Sequence, residues 1–224
     1  MYKADFKPVT QRHDKVLIVC GGESLIGFDI NQFKDFDGAI ITVNNVIYHL
    51  PRADYWITVD PMWQGKPQRA MIERLSNTYY YCAYPKLDEN SPELNYYQTV
   101  EGIHYLERIL PSTSDYRLQE DKSKITTCDS SYGALGLAYH FEATKIIILG
   151  VDAYGYGHWY DKNDPYNKWG LKDFDRFLKG IVNVYPCCIE QLKKRGAKVV
   201  FGSPNSPIDC FEKMSPDKAF HYFD

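Results

Sequence analysis

The feature that most constrains this chain is a recurring pair: a short, unbroken apolar run, then glycine, asparagine or aspartate. Lys15-Val-Leu-Ile-Val-Cys20 ends in Gly21-Gly22, and Ala39-Ile-Ile-Thr-Val43 ends in Asn44-Asn45. Tyr55-Trp-Ile-Thr-Val59 ends in Asp60-Pro61, and Thr78-Tyr-Tyr-Tyr-Cys82 is soon followed by Pro85. Lys145-Ile-Ile-Ile-Leu149 runs into Gly150-Val-Asp152, and Lys198-Val-Val-Phe201 into Gly202-Ser-Pro-Asn-Ser206. Apolar runs of this length without polar alternation are strands covered on both faces, as in parallel sheets.

Helical spacing separates several of these runs. From Ser130 to Phe141, Ala134, Leu135, Leu137, Ala138 and Phe141 share one face, with Asp129 or Ser130 as N-cap. A longer helix is expected from Leu171 to Arg195, stopped by Gly196 and started or kinked near its middle by Pro186. Strands alternating with helices predict an α/β fold, Rossmann-like, with a mostly parallel sheet flanked by helices. Residues 86–125 lack periodicity and read as a loop-rich excursion from the sheet, with one short strand at His104–Leu106. Residues 155–169, rich in glycine and aromatics, read as an aromatic lid. The chain is expected to form one nucleotide-binding domain over residues 1–224.

A chain of 224 residues with 44% hydrophobic and 25% charged residues can bury a full core, which excludes disorder and coiled coil. No apolar run approaches the roughly 20 residues of a membrane-spanning helix. Met1-Tyr-Lys-Ala-Asp-Phe-Lys7 has no apolar core of a secretory signal, so a soluble, cytoplasmic protein without a membrane span is expected. A net charge of −3 argues against a whole-chain field for gripping nucleic acid, and a local basic groove stays open. The 6 cysteines (20, 82, 128, 187, 188 and 210) form no CxxC pair and are expected to be reduced; the histidines show no zinc spacing. The 19 tyrosines suit either a tyrosine-rich core or a site that stacks rings and bonds sugars or phosphates.

Parallel sheets bind ligands beyond the carboxyl ends of their strands, and polar and glycine residues gather there in this chain. Gly21, Gly22 and Ser24 could let a phosphate approach the backbone, or simply form a strand-to-helix turn. Asn44 and Asn45 suit a ribose or a base edge, or cap a short helix. Asp60 suits Mg²⁺, a ribose hydroxyl or proton transfer, or a plain turn before Pro61. Ser130 and Ser131 open the central helix, where an anion or ordinary capping would fit. Gly150 and Asp152 follow the fifth run, with Tyr154 and Tyr160 beyond them. His158 lies between these tyrosines as a proton carrier or a surface histidine.

Three blocks together resemble one superfamily. They are Val16-Leu-Ile-Val-Cys-Gly-Gly-Glu-Ser-Leu25, then Ile41-Thr-Val-Asn44 with Ala53-Asp-Tyr-Trp-Ile-Thr-Val-Asp-Pro61, and Ser130 to Tyr154. Ser203-Pro-Asn-Ser206 adds a weaker echo. The pattern is similar to the Rossmann-like superfamily that joins the sialyltransferases of glycosyltransferase family 42 with the MptE-like 6-hydroxymethylpterin diphosphokinases, and to uncharacterised phage proteins of that superfamily. The resemblance implies that Gly21, Gly22 and Ser24 bind phosphate and ribose, that Asn44 contacts the donor, and that Ser130 and Ser131 hold nucleotide or phosphate. It implies that Tyr154 and Tyr160 stabilise a departing phosphate. The Val59-Asp60-Pro61 form is closer to the diphosphokinase branch, where Asp60 would serve Mg²⁺. Glu23 stands where the superfamily often has proline. No histidine occurs between His158 and His221, so His158, Asp161 or Asp60 would have to act as the base.

The expected function is an enzyme, a nucleotide-sugar-dependent glycosyltransferase. It would move a sugar from a nucleoside mono- or diphosphate donor to a hydroxyl of a glycan or of a hydroxymethylated base in phage DNA. One alternative is an ATP- and Mg²⁺-dependent diphosphokinase of the MptE-like type. Another is a non-catalytic protein that binds or sequesters a nucleotide. Apolar residues of the 171–195 helix leave a homo-oligomer open.

Overall fold

A computed structural model describes residues 4–59, 77–86, 101–111, 115–153, 159 and 179–224. These form a nine-stranded sheet in which every pairing is parallel. Its strands are β1 (Lys15–Val19), β2 (Ala39–Val43), β3 (Tyr55–Thr58), β4 (Tyr79–Pro85), β5 (Ile103–Ile109), β6 (Lys124–Thr126), β7 (Lys145–Leu149), β8 (Lys198–Gly202) and β9 (Glu212–Lys213). The spatial order is β6-β5-β4-β3-β2-β1-β7-β8-β9. The chain walks outward from β1 to β6, then returns to the other side of β1. The junction of β1 and β7 is therefore the switch point of the sheet, where α/β folds open a crevice.

The apolar runs form the central strands because both of their faces are covered. Val16, Ile18, Ile41 and Ile148 lie in one core, Leu17, Val19, Ile40 and Ile147 in the other, and all are fully buried. The first face carries α1 (Ser130–His140), the crossover helix between β6 and β7. Its close seating depends on Gly136, where an added Cβ would lie 2.9 Å from Ile125. The opposite face is covered by a 3₁₀ helix at Ile30–Asp35 and, near the C-terminus, by α3 (Pro216–Phe220), through Phe33, Phe36 and Phe220. Between β7 and β8, residues 179–184 are helical. A 3₁₀ turn at Tyr185–Cys188 holding Pro186 follows, and α2 (Ile189–Lys194) completes the segment. The expected interruption at Pro186 is thus present, and Gly196 ends the helix with φ of 69°.

Of the 86–125 stretch expected as an excursion, residues 87–100 and 112–114 lie outside the described residues, and the rest contributes two strands. The strand expected at His104–Leu106 extends to the whole of β5, and β6 follows it; both belong to the sheet. The missed signal has a physical cause. Only Ile103, Tyr105 and Leu106 of β5 are buried, and the partly exposed His104, Glu107 and Arg108 break its apolar run. The aromatic lid expected at 155–169 lies outside the described residues except for Trp159. Among the described residues, no helix is long and apolar enough to cross a membrane.

Candidate functional site

The loop after β1 is built onto the residues after β7. The Gly22 N–H donates to the Gly150 carbonyl at 2.9 Å, and the Ser24 N–H to Asp152 Oδ2 at 2.7 Å. A Cβ on Gly22 would lie 2.6 Å from the Asp152 carboxyl and from the Gly150 carbonyl. Glycine is required at this crossing by contact alone. Gly150 has φ of 72°, and a Cβ there would lie 2.5 Å from the Cys20 carbonyl. The Ser24 hydroxyl reaches across to the Ser203 hydroxyl at 3.1 Å, which brings the loop after β8 into the same cluster. Of the residues expected to bind nucleotide, the structure therefore gathers Gly21, Gly22, Ser24, Gly150 and Asp152 at the switch point.

Trp159 lies over this junction. Its backbone N–H donates to the Gly21 carbonyl at 3.0 Å, and its indole N–H to the Cys20 carbonyl at 3.2 Å. Its ring meets His49 edge-on at 6.0 Å.

The other expected residues fall along the same carboxyl edge but in separate contacts. Asn44 ends β2 with φ of 50°, and its side-chain oxygen accepts the Thr58 hydroxyl at 2.7 Å. Its carbonyl accepts the Trp56 indole N–H at 2.8 Å. Asn45 Oδ1 is buried without a hydrogen-bond partner among the described residues. The Ser130 hydroxyl accepts the Val59 N–H at 3.0 Å, which ties the start of α1 to the end of β3. The Ser131 hydroxyl bonds Asp129 and lies 2.9 Å from the Tyr185 hydroxyl. Asp129 caps α1, accepting the N–H groups of Ser131 at 2.7 Å and Tyr132 at 3.1 Å. Ser130 and Ser131 thus use their hydroxyls inside the protein, and the first donors of α1 are engaged by its own cap. Asp60, Tyr154, His158, Tyr160 and Asp161, expected to act in catalysis, lie outside the described residues.

The chemistry of the switch point is that of acceptors. Asp152 is 4% exposed, and its Oδ1 is buried with no hydrogen-bond partner among the described residues. Burial above all, and then the Asp129 and Asp152 carboxylates, hold the Cys20 thiol well above its usual range. Cys20 is therefore a neutral thiol rather than a nucleophile. Four of the loop's donors are spent inward: the Gly22, Ser24, Leu25 and Ile26 N–H groups all bond within the protein. What distinguishes the cluster is a carboxylate oxygen lacking a donor among the described residues. Ser203, Thr58 and Trp159 join this edge without having stood among the candidate site residues. Ser203 was visible in the sequence only as part of the turn after the last apolar run. Among the described residues, no group of three histidine, cysteine, aspartate or glutamate side chains is placed to hold a metal ion.

The fold and this edge define a Rossmann-like α/β protein whose switch point is closely packed at Gly22 and Gly150. No family model matches the chain, and neither a curated protein nor a solved structure matches it.

Proposed function

We propose that this protein is a nucleotide-dependent transferase, and that the group it moves is a sugar carried by a nucleoside mono- or diphosphate. The observation that supports this most is Asp152, a buried carboxylate at the switch point with one oxygen unpaired. An acceptor left without a donor in the interior costs about 1–3 kcal/mol. Adjacent ribose hydroxyls are donors that suit a carboxylate, and the switch point is where α/β folds place nucleotides. In this reading Gly22 lets the loop close onto Asp152 and Gly150, and Asp152 holds the hydroxyls of a ribose beside Gly21. Ala153, next in the chain, carries φ of 51°, and backbone strain of this kind concentrates at functional sites.

The reaction is attack by an acceptor hydroxyl on the anomeric carbon while the nucleoside phosphate leaves. The segment that follows β7 in the chain supplies the side chains for it: His158 or Asp161 as base, Tyr154 and Tyr160 as donors to the leaving phosphate. Asp60 is the alternative base at the end of β3. The acceptor is a glycan or a hydroxymethylated DNA base.

A thermal-shift panel tests this reading, using CMP, UDP, GDP, ADP, ATP and their sugar conjugates with and without Mg²⁺. A ligand at 100 times its Kd adds about 2.7 kcal/mol, which moves the melting temperature by a few degrees. Stabilisation by one nucleotide and its sugar conjugate is the expected result. Mg²⁺-dependent stabilisation by ATP alone would put the diphosphokinase first. Tight binding with no sugar released would favour a sequestering protein. A flat panel would remove the nucleotide reading.

A further inference from the structure

Arg12, Arg52, Arg117 and Arg195 each pair with a carboxylate. Arg108 does not, among the described residues. It stands near the carboxyl end of β5, in register with Pro85 of β4 and Ile125 of β6. Its guanidinium reaches across β4 to the end of β3. Nη1 donates to the Val59 carbonyl at 3.4 Å, Nε to the Thr127 carbonyl at 3.3 Å and Nη2 to the Cys128 carbonyl at 3.3 Å. These bonds are long for N–H···O contacts, which centre near 2.9–3.0 Å. A guanidinium has five N–H donors in a fixed fork, and among the described residues this one meets only neutral carbonyls, through three long bonds.

Its position is specific. The Val59 residue that it touches gives its N–H to Ser130, so the guanidinium lies beside the start of α1 and on the ligand-binding edge of the sheet. Glu107, its neighbour in sequence, pairs with Lys124, and Asp129, which follows the Cys128 that the guanidinium touches, is committed elsewhere. One oxygen caps α1 and the other accepts the Cys128 thiol at 3.2 Å. Between β1, where the ribose is placed, and β3 lie two strand spacings, about 10 Å. An extended nucleotide spans that gap.

We propose that Arg108 is the anion anchor of the site and binds a phosphate of the nucleotide whose ribose rests on Asp152. This rests on the nucleotide reading above and adds a cation to it, because the glycine loop spends the N–H donors of Gly22, Ser24, Leu25 and Ile26 internally. A phosphate would replace the long carbonyl bonds with two parallel, charge-assisted ones.

Calorimetric titration of the full chain with inorganic pyrophosphate, and with nucleoside and nucleoside 5′-monophosphate pairs, tests the proposal. The wild type is expected to bind pyrophosphate, and Arg108→Gln to weaken that binding at least about tenfold. The same variant is expected to erase the advantage of the monophosphate over its nucleoside while leaving nucleoside affinity unchanged. A merely structural arginine would weaken both alike. Arg108→Lys keeps the charge and loses the fork, and is expected to fall between the two; it also serves if the glutamine variant does not fold. Pyrophosphate binding that is absent in the wild type, or undiminished in both variants, would overturn the proposal. Arg108-dependent pyrophosphate binding with no response to any nucleoside or nucleotide would keep the anion site and discard the nucleotide.

Discussion

The Ser24 N–H and Asp152 Oδ2, 128 positions apart in sequence, meet at 2.7 Å across the β1–β7 junction. One oxygen of the carboxylate builds the loop, and the other is buried with no hydrogen-bond partner among the described residues. Asp152→Asn can keep an oxygen on Ser24 while turning the free position from acceptor to donor. Its stability is expected to change by less than about 1 kcal/mol while nucleotide binding is lost. Asp152→Ala strands the Ser24 N–H and is expected to cost about 1–3 kcal/mol in urea unfolding. Equal loss of stability in both variants would contradict the division of labour.

Glycine substitutions should separate contact from propensity. Gly22→Ala drives a Cβ to 2.6 Å from Asp152 and Gly150, and overpacking of this kind costs about 1–3 kcal/mol. Gly180 lies in a helical segment with nothing within 4 Å of an added Cβ. Gly180→Ala is therefore expected to stabilise by about 0.5–1 kcal/mol. Chemical denaturation of the two variants checks the opposite signs.

Asn44 combines a left-handed backbone with a side-chain bond to Thr58. Asn44→Ala gives up the bond and places a poorly suited residue at φ of 50°, for about 1–2 kcal/mol or more. Asn44→Gly gives up the bond but relieves the backbone, so it should unfold at a higher urea concentration than the alanine variant. The reverse order would show that the backbone at this strand end carries no strain.

His140 on α1 is 1% exposed, and its Nε2–H donates to the Lys124 carbonyl at 2.7 Å. Burial, chiefly, pushes its pKa below the ordinary 6.5. The unfolded chain then takes up a proton more readily than the folded one, so stability is complete above pH 6.5 and declines as pH falls from there toward the folded-state value. His13 and His104 shift the same way, also mainly by burial. His140→Gln can keep a donor without titrating. Its melting temperature should fall less steeply than the wild type's between about pH 7 and pH 5.

The parallel centre of the sheet was legible because strands covered on both faces leave unbroken apolar runs, and β1, β2, β3, β7 and β8 all match their expected segments within a residue or so. β5 was largely hidden, since residues such as His104, Glu107 and Arg108 interrupt its run. The carboxyl-edge cluster was legible as a list of turn residues, but not its pairings: nothing in the sequence says that Ser24 meets Asp152 and Ser203 rather than a phosphate. The tyrosines show a similar limit. Tyr55, Tyr80, Tyr81, Tyr84, Tyr105, Tyr132 and Tyr185 are buried, so much of the aromatic excess builds the core. Composition alone cannot separate that use from a stacking site. Arg108 carried no motif and gained meaning only from its lack of a carboxylate.

The most direct test of the central claim compares a ribonucleotide with its 2′,3′-dideoxy counterpart, on the wild type and on Asp152→Asn, by calorimetric titration. The nucleotide chosen is the one that stabilises the wild type most. If Asp152 receives the ribose hydroxyls, the wild type prefers the ribonucleotide by about tenfold or more, and Asp152→Asn removes that preference. Equal affinity of the wild type for both compounds, or a preference that survives in Asp152→Asn, would contradict the account.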